Sequence, residues 1–397
     1  MTPCDDAADR ETFRAEVRAF IAEFAPHIPP RAGIRSAEND AELQDLQRWT
    51  GLLYGNGYAG TDWPTEYGGR TDRTARHAII VGEELARAQV PGVQGAGTLA
   101  AHALINFGTE EQRRRHLPRI RAGQEMWCQL FSEPGAGSDL ASLRTRAVRD
   151  GDKYVLNGQK VWTTDGHWAH YGYLLARTEP DAPKHKGISA FLLDMSLPGV
   201  TVRPLRELTG TSDFNEVFFD DVSVPADAMI GAPGEGWKIA NASLAHERTG
   251  VGAAVVKLRG ALEAITALAH TATVQGRAAI ENGWVRDRIG SLTADVEALS
   301  ALTDANVHRW LQGRERPHDA PMAKLMFSEI NLAIATFAVE LGGEAGVLVE
   351  GDPQALADGR WQDEWLYARA YTIAGGSSEI MRTLIAERGL GLPCQRG

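Results

Sequence analysis

The chain has 397 residues, 43% of them hydrophobic, with a formal charge of −11. That length supports two or three cooperative domains with substantial cores. A pI near 5.5 argues against nucleic-acid or anionic-membrane partners, which need a basic patch to displace counterions. Only Cys4, Cys128 and Cys394 are present, too few for a disulfide framework or a Cys-rich zinc site, and His102, His167 and His246 show no metal-ligand spacing. The acidic N-terminus, Met1 to Asp6, lacks the apolar segment of a signal peptide. These features describe a cytoplasmic enzyme.

Residues from about Glu11 to Arg121 read as helices, with Phe13, Val17, Phe20, Ile21 and Phe24 at helical spacing. Loops interrupt them at Pro26 to Pro30 and at Trp63 to Gly69. The period then shortens. Asp150-Gly151 and Asn157-Gly158 both read as hairpin turns, and Tyr154, Val155, Val161, Trp162 and Thr163 are β formers. Further strands are expected at Tyr171 to Arg177, Ile188 to Met195, Val200 to Leu205 and Glu216 to Val224. From Gly236 the helical period returns over 236–270, 284–312, 320–342 and 363–388. The expected fold is therefore α+β: an N-terminal helical domain over 1–125, a middle antiparallel β domain over 126–232, and a C-terminal helical bundle over 233–397.

Between Lys238 and Lys257 the only ionisable residues are His246, Glu247 and Arg248. This describes a helix buried on most sides, too short and too polar at its centre to span a membrane. At roughly 100° per residue, Glu247 shares its face with Ala240, Ser243, Leu244, Gly250, Val251, Ala254 and Leu258. Most of these are small, which leaves room for a ligand beside a carboxylate whose pKa desolvation would raise. The same pattern fits structural ion pairs that Glu247 and Arg248 each make with a charge on another helix.

Pro134 and two glycines make Ser132 to Asp139 an irregular loop that exposes backbone N–H groups, suited to an anion or the polar edge of a ring. It is equally readable as an interdomain turn, and it is no dinucleotide fingerprint because no βαβ unit surrounds it. Gly375-Gly376 breaks a helical stretch, and Ser377 or Ser378 then reads as an N-cap. Such a break either offers free N–H donors or is a simple kink.

Together these segments resemble the acyl-CoA dehydrogenase family, from about residue 10 to 390. The resemblance is carried, in order, by Gly108-Thr109-Glu110-Glu111-Gln112 with Leu117-Pro118, by Ser132-Glu133-Pro134-Gly135-Ala136-Gly137-Ser138-Asp139, by Asn157-Gly158-Gln159-Lys160-Val161-Trp162-Thr163-Thr164, and by Gly375 to Arg382. It implies an N-terminal helical domain, a β domain and a C-terminal four-helix bundle, with FAD between the last two. It assigns Phe131, Ser132, Ser138, Trp162, Thr164, Arg277, Gly343, Ser377 and Glu379 to the cofactor, and Ser138, Arg248 and Gly375 to the thioester substrate. Many members carry their base where Gly375 stands here. A subset resembling isovaleryl- and long-chain acyl-CoA dehydrogenases carries it on the first bundle helix, at the position of Glu247, with a small residue at the position of Gly375. This chain has both halves of that exchange. Glu379 is the alternative base.

The implied reaction is α,β-dehydrogenation of an acyl-CoA or related thioester to the trans-2-enoyl thioester. Glu247 removes the α-proton, flavin N5 accepts the β-hydride, and electron-transfer flavoprotein carries the electrons away. The vacated volume at Gly375 favours branched, cyclic or bulky acyl groups. A homodimer or homotetramer is implied, or a heteromer with a related subunit. The chain departs from the family where an Arg-x-x-Phe-Gly segment usually reaches the neighbouring subunit's FAD: Gln275 to Gly283 keeps only Arg277. Leu341-Gly342-Gly343 lacks the glutamine that usually precedes it. These departures put the cross-subunit cofactor contacts in question. Two rival readings follow, a non-catalytic or half-site subunit of a heteromeric dehydrogenase and a flavin oxidase or monooxygenase on the same fold.

Overall fold

The computed structural model describes residues 7–29, 31–33, 35–244 and 251–393. They group into two compact units, one drawn from residues 1–28, 36–78 and 91–247 and the other from 29–35, 79–90 and 248–397. The helices begin with α1 (Ala7–Phe24), α2 (Asp40–Gly55), α3 (Ala75–Ala88), α4 (Gly95–Phe107) and α5 (Glu110–Arg121). Phe13, Val17, Phe20 and Ile21 of α1 are buried, as their spacing requires. Helix α5 opens on a reciprocal cap, in which the Gln112 N–H donates to Thr109 Oγ1 at 3.2 Å and the Thr109 N–H donates to Gln112 Oε1 at 2.9 Å.

The sheet of the first unit is built from β1 (Trp127–Leu130), β2 (Arg146–Asp150), β3 (Lys153–Thr164), β4 (Tyr171–Arg177), β5 (Ile188–Asp194), β6 (Val200–Leu205), β7 (Phe214–Pro225) and β8 (Met229–Ile230). Its order is β6-β7-β3-β2-β4-β5-β8, with β1 alongside β4. It is antiparallel apart from β1 on β4 and a single β2–β4 bridge at Arg146 and Arg177, which run parallel. Strand β4 divides its side chains between two apolar clusters: Tyr173 and Leu175 join Trp127, Leu99, Leu104 and Ile239, while Leu174 and Ala176 join Phe191, Val217 and Phe219. That is the two-sided burial expected of an apolar central strand.

The two expected turn dipeptides part company. Asp150 pairs with Lys153, so Gly151, at φ +64°, does turn the chain. Asn157-Gly158 lies inside β3, where the register against β7 shifts between Leu156 and Gly158. At φ +151° a Cβ on Gly158 would stand 2.6 Å from Thr145 Oγ1 and 2.7 Å from Thr145 Cα. Glycine is required there by close backbone approach at a bulge and not by a turn. Asn157 instead ties β3 to β7, giving its Nδ2–H to Asp221 Oδ1 at 2.9 Å and accepting the Asp221 N–H at 3.1 Å.

The sequence pattern predicts one helix over 236–270. The structure gives α6 (Gly236–Leu244) and α7 (Val251–Thr271), and the intervening residues, Glu247 and Arg248 among them, lie outside the described residues. The second unit continues with a small hairpin, β9 (Thr273–Val274) and β10 (Arg277–Ala278), then α8 (Gly283–Leu311), α9 (Asp319–Gly342), α10 (Arg360–Tyr371) and α11 (Ser378–Leu384). Leu258 and Ile265 of α7, Val296 and Leu299 of α8, Ile334 and Phe337 of α9, and Trp361 of α10 form one shared core, which is the expected four-helix bundle. Among the described residues, the stretch Asp319–Val347 is long and apolar enough by composition to cross a membrane. Its Ile330, Ile334, Phe337 and Ala338 are used in that core.

Candidate active site

Just past β1 the chain enters the Ser132 to Asp139 loop. Phe131 is buried with its ring edge-on to Tyr173 at 5.0 Å, so its backbone, not its ring, is what this position offers a ligand. Glu133 and Ala136 exchange N–H···O bonds of 3.1 and 3.0 Å, closing a tight turn that leaves Pro134, Gly135, Gly137 and Ser138 exposed. The Val161 N–H donates to Ser132 O at 3.0 Å, lacing the loop to β3. Beneath it lies Lys160, whose ammonium donates to Phe131 O at 2.9 Å and to Glu133 Oε1 at 2.8 Å. Glu133 also accepts the N–H groups of Arg144 at 2.6 Å and Thr145 at 2.8 Å. Desolvation works against ionised Glu133, but the Lys160 charge and these hydrogen bonds outweigh it and hold the carboxyl below its usual range. Burial lowers Lys160 to about 8, with Glu133 opposing the fall. Both residues stand inside the motifs that carry the family resemblance, yet sequence alone gave them no role. Nothing in a linear reading joins a loop carboxylate to a strand lysine 27 positions away.

Trp162 sits where β3 slips against β7 between Lys160 and Thr163. Its φ is +60°, a left-handed conformation that costs a bulky residue about 1–3 kcal/mol. The residue is 62% exposed, with the Phe214 ring edge-on to its indole at 6.0 Å. The residues around it are fixed. Asn215 Nδ2 donates to Thr163 O at 2.9 Å, and Asp165, at φ +58°, accepts Ser36 Oγ–H at 2.6 Å and Gln94 Nε2–H at 3.1 Å. Burial pushes the Asp165 carboxyl up against those two bonds. Thr163 Oγ1 is buried without a hydrogen-bond partner among the described residues. A rigid, strained turn that holds an indole out of the core, beside a loop of exposed amides, fits a planar cofactor with an apolar face and polar edges. Trp162→Ala should therefore leave the unfolding midpoint nearly unchanged and raise the FAD dissociation constant about tenfold, the weight of one aromatic stacking contact. Thermal melts and fluorescence titration check both halves.

The remaining assigned residues lie in the second unit. Gly375 and Gly376 have φ of +65° and +99°; among the described residues a Cβ on Gly375 would meet nothing within 4 Å, and one on Gly376 would strike Met381 Cε at 2.3 Å. Lys324 Nζ donates to Gly376 O at 2.5 Å, and Ser377 rather than Ser378 caps α11, accepting the Ile380 N–H at 3.4 Å. Ser378 Oγ is buried and has no hydrogen-bond partner among the described residues. Glu379 is exposed, and its own backbone N–H and the Ser377 hydroxyl hold its carboxyl below the usual range, which weakens it as a base. Gly343 is exposed at the C-terminus of α9 with φ +54°. Arg277 projects from β10 into solvent and pairs with Glu281 at 2.6 Å.

This chain is 39% identical to the acyl-CoA dehydrogenase IpdE1 of Mycobacterium tuberculosis, over 97% of its own length and 98% of that protein's. It belongs to the acyl-CoA dehydrogenase family. Residues 7–124, 128–222 and 234–390 match, respectively, the N-terminal, middle and C-terminal domains that define acyl-CoA dehydrogenases. A second relative, acyl-CoA dehydrogenase FadE34 of the same organism, is also 39% identical; the match takes in 96% of this chain and 49% of FadE34. Among solved structures, the Tcur3481-Tcur3483 steroid ACAD gives a TM-score of 0.87 at 30% identity, covering 99% of this chain and all of the matched one. The ChsE4-ChsE5 complex of M. tuberculosis gives 0.84 at 30% identity, covering 98% and 99%. The chain is thus an FAD-dependent acyl-CoA dehydrogenase, and the expected fold, reaction class and cofactor stand.

Proposed function

We propose that this acyl-CoA dehydrogenase uses Glu247 as its base, acts on thioesters of bulky, ring-bearing acids, and delivers electrons to electron-transfer flavoprotein. Bound FAD supplies the two-electron acceptor. The carboxylate of Glu247 takes the proton α to the thioester carbonyl. That proton is too weakly acidic for a carboxylate unless the developing enolate oxygen is stabilised, and the Gly375 N–H, freed from the helix ladder by the break, is the donor we assign to it. Loss of one such donor costs about 2.7–4 kcal/mol. Trp162 covers one face of the cofactor and excludes water. Ser132 and Thr164 serve the ring edge, Ser138 the phosphate or thioester side, and Ser377, Glu379, Arg277 and Gly343 the rest of the cofactor. Arg248 acts as the electrostatic neighbour of Glu247.

The observation that carries the substrate reading is Gly375, where a side chain would meet nothing within 4 Å among the described residues. Likeness to a structure described as a steroid ACAD supports it. A panel of acyl-CoA substrates, mixed anaerobically with the purified holoenzyme, should bleach the flavin fastest with ring-bearing acyl groups. Electron-transfer flavoprotein should then reoxidise it faster than air. Preference for short linear chains contradicts the substrate reading, and rapid air reoxidation with peroxide marks an oxidase.

A second reading is that the chain works with a different, related subunit. It is favoured by Arg277, which is occupied by Glu281 of its own hairpin region, and by likeness to the two-component Tcur3481-Tcur3483 and ChsE4-ChsE5 assemblies. A folded chain that purifies colourless and gains flavin only with a partner supports this reading. A full complement of FAD on the chain alone removes it.

A further inference from the structure

Lys160 is fully buried, yet the dehydrogenation step gives it nothing to do. Its ammonium reaches two targets on the loop, the Phe131 carbonyl at 2.9 Å and the Glu133 carboxylate at 2.8 Å. Glu133 in turn holds the N–H groups of Arg144 and Thr145 on the far side of the loop. One pair therefore clamps both limbs of the segment onto β3, the strand that presents Trp162.

Peptide geometry gives the clamp a direction. In a trans peptide the C=O and N–H point opposite ways. With the Phe131 carbonyl turned down to Lys160, the Ser132 N–H of that peptide is turned away from the clamp, and among the described residues no backbone carbonyl accepts it. The next peptide is held likewise, its Ser132 carbonyl taken by the Val161 N–H and its Glu133 N–H by Ala136 O. Among the loop's N–H groups that no backbone carbonyl of the described residues accepts, the one at Ser132 thus belongs to the peptide the clamp holds, on the residue that Val161 laces to β3 beside Trp162.

We infer that the Lys160–Glu133 pair is a positioning device for the flavin-binding face: it orients the Ser132 N–H against the Trp162 strand and so tunes how tightly and in what electronic state FAD is held. Buried pairs often contribute little net stability compared with apolar replacements of the same shape, so a role in positioning explains the pair better than a role in folding. The inference rests on the assignment of Ser132 and Trp162 to the cofactor side.

The test compares holoenzyme with Glu133→Gln, Lys160→Arg and the double Lys160→Met/Glu133→Gln. The double leaves no buried charge alone and is expected to fold with a wild-type circular dichroism spectrum. Its FAD dissociation constant should rise about tenfold, the worth of one hydrogen bond from the Ser132 N–H, and its flavin absorption bands and reduction potential should shift. Lys160→Arg, which keeps the charge, should recover part of the affinity. FAD affinity within twofold of wild type, with unchanged spectrum and potential, overturns the inference. A double variant that fails to fold overturns it equally, because the pair would then belong to the fold. The underlying assignment fails separately: wild-type protein that binds FAD without quenching the emission lost in Trp162→Phe places the flavin elsewhere.

Discussion

Glu247→Gln is expected to slow flavin bleaching by acyl-CoA about 10²–10⁴-fold, the usual contribution of a positioned base, with FAD content and unfolding midpoint unchanged. The amide has the shape of the acid but cannot accept the α-proton. The exchange between positions 247 and 375 makes this variant partly repairable. In the Glu247→Gln background, Gly375→Glu should restore some activity, because its Cβ meets nothing within 4 Å among the described residues. The recovery will be incomplete, since φ of +65° costs a non-glycine residue about 1–3 kcal/mol. Anaerobic stopped-flow measurements on the three proteins decide the matter. Full activity in Glu247→Gln removes that residue from the mechanism. The remaining candidate, Glu379, would then have to act from an exposed position with a lowered pKa.

Lys160→Met alone should cost about 3–5 kcal/mol of stability, the penalty for leaving a buried charge without its partner. Glu133 would keep the Arg144 and Thr145 N–H groups but lose its counter-ion at 2.8 Å. Adding Glu133→Gln should recover most of the loss, because the stranded charge is then gone. Urea unfolding of wild type, single and double variants gives the coupling directly. A single variant within about 1 kcal/mol of wild type would mean that water reaches the Glu133 carboxylate.

The change from helical to strand period and back is visible in the sequence because each element buries one face, and Phe13, Val17 and Phe20 or the alternating strands print that face on the chain. The irregular loop at Ser132 to Asp139 and the break at Gly375-Gly376 were also legible, since their glycines and proline forbid regular structure. Asn157-Gly158 misled because a turn dipeptide and a bulge make the same local demand on glycine; only the approach of Thr145 distinguishes them. The loop clamp was invisible for a related reason. Lys160 reads as an exposed charge until β3 is laid beneath the loop and its ammonium meets Phe131 O and Glu133. The family resemblance assigned Trp162 to ring stacking, but nothing in the sequence announced the left-handed backbone that holds it outward. Arg277 shows the converse limit, because its place in the motif gave no hint that Glu281 would engage it.

Proton removal can be isolated from electron transfer by using a thioester with sulfur at the β position, which can lose an α-proton but has no β-hydrogen to give. In deuterated buffer the wild-type holoenzyme should exchange the α-hydrogens of this compound at a rate readable by mass spectrometry, and Glu247→Gln should exchange them no faster than buffer does. Exchange by Glu247→Gln at the wild-type rate would contradict the assignment of the base.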